Sequence, residues 1–180
     1  HGRLNEAAPR VEAAQRGRLF FTYGHSPSAL FNRWWQGRRR GTKFVNTPGH
    51  IGIVGSDRGA YESLLWRGPT RDFSLDRYLT RHGKGKLQIA EVVIGYEPKD
   101  LIRAFEALHH YMWRLPIRGY DWLSLLSYGE WQMNGRVICS ELVQVYANEL
   151  LRHSSGYLLG VDELVLPVDW LRRVTVLWEG

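Results

Sequence analysis

His50-Ile51-Gly52-Ile53-Val54, the turn Gly55-Ser56-Asp57-Arg58-Gly59, and Ala60-Tyr61-Glu62-Ser63-Leu64-Leu65-Trp66 read as a β-hairpin. The first arm alternates, the turn is polar and bounded by glycine at both ends, and the second arm returns rich in apolar residues. Upstream, Arg18 to Tyr23 is a strand expectation stopped by Gly24. Ser26-Pro27 supplies a cap and a first-turn proline for a helix over Ala29 to Gln36, and Gly37 to Gly49 is basic and loop-like.

Downstream, Asp72 to Thr80 suggests a short helix and Leu87 to Ile94 a strongly apolar strand. Pro98 opens a helix to about Arg114, with Leu101, Phe105, Leu108 and Met112 as its apolar stripe. Residues 116–132 are aromatic and irregular, with a further helix suggested at Trp122 to Ser127. Glu141 to Arg152 carries Leu142, Val145, Tyr146, Glu149 and Leu150 at helical spacing. A Gly/Ser turn at Ser154 to Gly156, a short proline-started helix at Leu166 to Leu171 and a strand at Val174 to Trp178 complete the chain. The fold class expected is α+β: an antiparallel sheet built on the hairpin and the Leu87 strand, packed against the helix after Cys139. Residues 1–17 form a polar lead-in, and 18–180 form one domain.

The composition is that of a globular protein: 180 residues, 44% hydrophobic, 13% aromatic, with eight Trp. One cysteine excludes an internal disulfide and a cysteine-built zinc site. No apolar run approaches a membrane span, and the first residues lack the apolar core of a signal peptide. The chain starts without Met, which leaves targeting open. Net charge is +6, and the isoelectric point is near 9.7. Basic residues concentrate where Arg38, Arg39 and Arg40 follow Trp34 and Trp35. The plainer reading is a solvated loop and a helix end that favours cations; the other is docking to an anionic surface or polymer. No nucleic-acid signature accompanies the charge, and no nucleic-acid partner is expected.

The chemistry centres on Cys139, in Val137-Ile138-Cys139-Ser140-Glu141. A cysteine at a helix start sits among unpaired N–H groups at the positive end of the dipole, which favours thiolate. Alone, such a cysteine is more often an inert, buried small hydrophobe. A nucleophilic thiol needs a base, and that base needs an orienting group. Among seven histidines, His50 stands apart because it begins a strand after Thr47-Pro48-Gly49. Glu62 follows at an even separation across the hairpin, so the two share a face if the turn register is even. The competing reading is a strand-end histidine and a surface glutamate.

Thr47-Pro48-Gly49-His50-Ile51-Gly52-Ile53-Val54, Tyr61-Glu62-Ser63, Tyr120-Asp121-Trp122 and Ile138-Cys139-Ser140-Glu141-Leu142-Val143 together resemble the circularly permuted branch of the NlpC-type papain-like superfamily. In that branch, which includes bacterial hydrolases and the lecithin retinol acyltransferase-like enzymes, the histidine strand precedes the cysteine helix. The resemblance covers about residues 18–150. It implies Cys139 as nucleophile, His50 as general base and Glu62 as the polar third member. In the acyltransferase-like relatives a second histidine commonly fills the third place, so Glu62 looks more like the bacterial branch. Tyr120 resembles the tyrosine that helps to stabilise the oxyanion, and Tyr146, two helical turns past Cys139, is the rival.

The resemblance implies an amide hydrolase working through an acyl-enzyme, with no cofactor and no metal. Its expected substrate is a peptidoglycan stem peptide, in the setting of a phage lysin or antibacterial effector that works on the cell wall or in the periplasm. A toxin would have an immunity or inhibitor protein as partner. Two alternatives stand beside this: a lipid-directed acyltransferase, thioesterase or amidase using Trp34, Trp35 and the three arginines at a surface, and a binding module without turnover. Cys139 is expected to be partly exposed.

Overall fold

The computed structural model describes residues 15–55, 59–64, 68–72, 86–92, 96–114, 138–152 and 165–180. The elements are β1 (Leu19–Thr22), α1 (Pro27–Arg40), a 3-10 turn (Phe44–Asn46), β2 (His50–Val54), β3 (Ala60–Leu64), β4 (Gly68–Asp72), β5 (Leu87–Val92), α2 (Pro98–Arg114), α3 (Cys139–Leu150), α4 (Pro167–Trp170) and β6 (Val174–Glu179). Two compact units result: 1–61, 71–93 and 166–180 in the first, and 62–70 and 94–165 in the second.

The strands run in the order β4-β3-β2-β1-β5-β6. The pairs β1–β2, β1–β5, β2–β3 and β5–β6 are antiparallel. The α+β expectation holds, and β1 lies between the hairpin and β5. That place follows from its composition. Leu19, Phe20 and Phe21 are fully buried, which suits a strand with neighbours on both edges. Phe20 faces Gly52 on one side and Ile89 on the other. A Cβ on Gly52 would collide with the Phe20 ring and lie 2.8 Å from the Tyr61 carbonyl oxygen, so the missing side chain makes room for the phenyl ring.

β4 was not foreseen. Gly68-Pro69-Thr70-Arg71-Asp72 has no apolar alternation and carries a proline, which a sheet accepts at its edge, and β4 is an edge strand. α1 differs in the other direction. It runs on through Arg38, Arg39 and Arg40, which the sequence reading assigned to a loop. Cations in a last turn complement the helix dipole, and Gly41 ends the helix with φ 63°. At its start Ser26 Oγ accepts the Ala29 N–H at 3.2 Å, as the cap motif predicts.

In the second unit α2 and α3 pack together, the Phe105 and Tyr146 rings lying 5.4 Å apart between centroids. Of the predicted α2 stripe, Phe105 and Leu108 are buried, and Leu101 and Met112 are half-buried. Three helices are capped alike. A carboxylate three residues into the turn accepts the entering N–H: Asp100 from Glu97, Glu141 from Ile138 and Asp169 from Leu166. Asp72, the expected start of a helix, is instead the last residue of β4; the rest of that helix (73–80), the expected helix at 122–127, the turn at 154–156 and residues 1–14 of the lead-in lie outside the described residues. Among the described residues no helix is long and apolar enough to cross a membrane.

Candidate active site

His50 is the first residue of β2, and the chain entering it is held on several sides. The Gly49 N–H donates to the Thr22 carbonyl at 2.8 Å, extending the β1 ladder. Gln36 Nε2 donates to the Pro48 carbonyl at 3.3 Å, while Gln36 Oε1 accepts the Val168 N–H at 3.3 Å. Arg33 does the most. Its Nε donates to the Thr47 carbonyl at 3.0 Å, Nη1 to Tyr23 at 3.2 Å and Gly24 at 3.4 Å, and Nη2 to Phe44 at 3.1 Å.

The Arg33 guanidinium lies 4.1 Å from the Phe44 ring centroid and pairs with no carboxylate among the described residues. Backbone carbonyls and ring faces balance its charge. Burial pushes it below the ordinary arginine value, with Tyr23 opposing. In the sequence Arg33 and Gln36 look like two polar residues of a basic helix, and only the fold shows what they hold.

The imidazole itself is half-buried, and the Phe20 ring centroid lies 6.3 Å from its own. Ile53 pairs with Tyr61 and Val54 with Ala60. The even register on which the sequence argument depended is therefore the one found. Glu62 is 1% exposed, so it is a buried carboxylate rather than a surface one. A carboxylate so placed requires hydrogen-bond donors, and an imidazole N–H is one chemical type that serves.

Cys139 is the first residue of α3, two positions earlier than periodicity placed the helix start. Its own N–H therefore belongs to the set that the helix ladder leaves unused. The expectation of partial exposure is corrected: Cys139 is 2% exposed. Ile138, Ser140, Leu142 and Val143 around it are buried as well, so the helix enters its core at the first turn. Ser140 Oγ is buried, with no hydrogen-bond partner among the described residues.

Tyr146 is fully buried against Phe105. Tyr120 lies outside the described residues. Among the surface candidates, Trp34 is 51% exposed, but Trp35 is buried and faces the core, which corrects its assignment to a surface. Helical geometry explains the split, because adjacent residues point about 100° apart. Arg38, Arg39 and Arg40 are exposed; Arg38 lies 5.8 Å from the Trp34 ring, and Arg40 Nη2 bridges Asp169 Oδ2 at 2.9 Å.

No protein family matches the chain's sequence, and neither does any curated protein. One similar solved structure is the crystal structure of metalloprotein yiiX from Escherichia coli O157:H7, DUF1105. The similarity has a TM-score of 0.57 over 90% of this chain and 95% of that one, at 16% sequence identity. At that identity the likeness concerns the fold, and it extends over nearly the whole of both chains.

Proposed function

We propose that this chain is a cysteine hydrolase of amide bonds, with Cys139 as nucleophile, His50 as general base and Glu62 as the group that orients the imidazole. The observation that best supports the reading is the even β2–β3 register at Ile53–Tyr61 and Val54–Ala60, with the next residue of β3, Glu62, a buried carboxylate. Cys139 as the first residue of a helix adds to it, because that position favours a thiolate and offers a backbone N–H to an oxyanion.

In the proposed cycle His50 takes the Sγ proton, and the thiolate attacks the carbonyl carbon. The tetrahedral intermediate collapses to a thioester as His50 protonates the departing amine. Water, deprotonated by His50, then hydrolyses the thioester and regenerates the thiol. The substrate class proposed is the stem peptide of peptidoglycan, as for the permuted NlpC-type hydrolases whose motifs the sequence resembles. The yiiX protein is described as a metalloprotein. Among the described residues of this chain, no group of three or more His, Cys, Asp or Glu side chains is placed to hold a metal ion, and the cycle above uses none.

The test is the pH dependence of Cys139 alkylation by iodoacetamide, in the parent and in His50→Ala. A thiolate that titrates well below about 8.5, with the shift lost in the variant, supports the pair. A thiol indifferent to His50, or unreactive at every pH, refutes it. Purified sacculi then address the substrate: new amino termini that appear with the parent and not with Cys139→Ala identify peptide cleavage.

A further inference from the structure

α1 and the turn that follows it carry a surface that the proposed hydrolysis does not use. With about 100° per residue, Leu30, Phe31, Trp34 and Arg38 fall within one stripe of α1. All four are exposed. Phe31 and Trp34 are neighbours, their ring centroids 6.1 Å apart, and Arg38 sits over the Trp34 ring. Gln36, on the opposite side of the helix, is buried, and so are Arg33 and Gly37 beyond the Leu30 edge.

The 3-10 turn lies along one edge of that stripe. Gly37 borders the Leu30 edge, and a Cβ there would meet the Thr42 carbonyl oxygen at 2.8 Å and Thr47 Oγ1 at 3.2 Å. Arg33 fastens the same segment through the Phe44 and Thr47 carbonyls. Phe44 and Val45 are thereby set beside the stripe, and both are exposed, Val45 at 64%. Lys43 precedes them, also exposed. Large apolar side chains on two adjoining backbone segments are thus bordered by cations, while Asp169 is bound to Arg40 on the helix's other side.

We propose that this surface docks the protein on an anionic phospholipid bilayer. Trp34 and Phe31 would sit at the headgroup level, with Leu30 and Val45 reaching the acyl boundary. Arg38 and Lys43 would meet lipid phosphates. Charge complementarity selects this occupant: the rim is cationic and the chain carries +6 overall. Nucleic acid fits less well, because leucine and valine offer no ring on which a base could stack. The docking is independent of Cys139 and of which bond the enzyme breaks.

The experiment is co-sedimentation of the intact chain with vesicles of phosphatidylcholine alone and vesicles containing phosphatidylglycerol, at low and high salt. Binding to the anionic vesicles that weakens with salt is expected, with little to the neutral ones. Arg38→Glu reverses one charge at the surface and should weaken binding about thirtyfold. Trp34→Ser removes the central anchor and should weaken it about tenfold. Circular dichroism identifies any variant that is misfolded, and the other then decides. No vesicle binding, binding unchanged in a folded variant, or salt-dependent binding confined to DNA or to a soluble anionic polymer overturns the proposal.

Discussion

Arg33→Met tests whether a buried cation holds the approach to His50. Methionine preserves much of the volume and removes every donor. Three of the four hydrogen bonds are well made, at 3.0, 3.1 and 3.2 Å. Bonds to a charged group contribute about 1.5–3 kcal/mol each, so the lower figure gives about 4.5 kcal/mol for three. Removing the guanidinium also removes the cost of burying it, which leaves about 3 kcal/mol of net destabilisation. For a chain of this size that corresponds to a fall in Tm of about 6–12 °C. Arg33→Lys keeps the charge, but one ammonium cannot span carbonyls on two separate stretches, so an intermediate loss is expected. Thermal unfolding followed by circular dichroism gives the stability. Limited trypsin digestion gives the local effect, with faster cleavage after Lys43 in both variants. A methionine variant that melts within about 2 °C of the parent, with unaltered cleavage at Lys43, would refute the reasoning.

Tyr23 donates to Gln88 Oε1 at 2.6 Å, and Gln88 Nε2 donates to Glu179 at 2.6 Å. Burial, with Glu179 adding to it, pushes the Tyr23 phenol from 10.0 up to about 12, although Arg33 pulls the other way. The folded state therefore keeps a proton that the unfolded chain loses, so stability is complete below pH 10 and falls as pH rises from 10 to 12. The loss is about 2–3 kcal/mol, read from urea midpoints across that range, and Tyr23→Phe should remove this component of the pH dependence. Gly52→Ala drives a methyl group into the Phe20 ring and the Tyr61 carbonyl, and should cost about 1–3 kcal/mol by urea unfolding; an unchanged midpoint would contradict the packing described. Ser140→Ala removes a buried hydroxyl that has no partner among the described residues and should raise stability by about 1 kcal/mol in the same assay, whereas a loss would mean that the hydroxyl is satisfied in solution.

The elements that were legible in the sequence are those whose signal is local. The β2–β3 hairpin follows from alternation around a glycine-bounded turn, and α2 from a proline start and an apolar stripe. The same holds for His50 at a strand start and Cys139 at a helix start, each marked by its own neighbours. β4 escaped because an edge strand with a proline has no pattern of its own. The extension of α1 through three arginines escaped because polar residues between glycines suggest a loop unless the helix dipole and the terminal Gly41 are weighed together.

What the sequence by itself determined is the α+β class, the separate positions of the thiol, imidazole and carboxylate, and a cationic surplus near two tryptophans. The tertiary structure alone decided that β1 lies between β2 and β5, since strand order depends on burial along both edges and not on any local repeat. It decided that Glu62 is buried and that Cys139 is covered, because accessibility depends on what packs from elsewhere in the chain. It also separated Trp34 from Trp35. One faces solvent and the other the core, a distinction that two adjacent identical residues cannot express until a helix turns them apart.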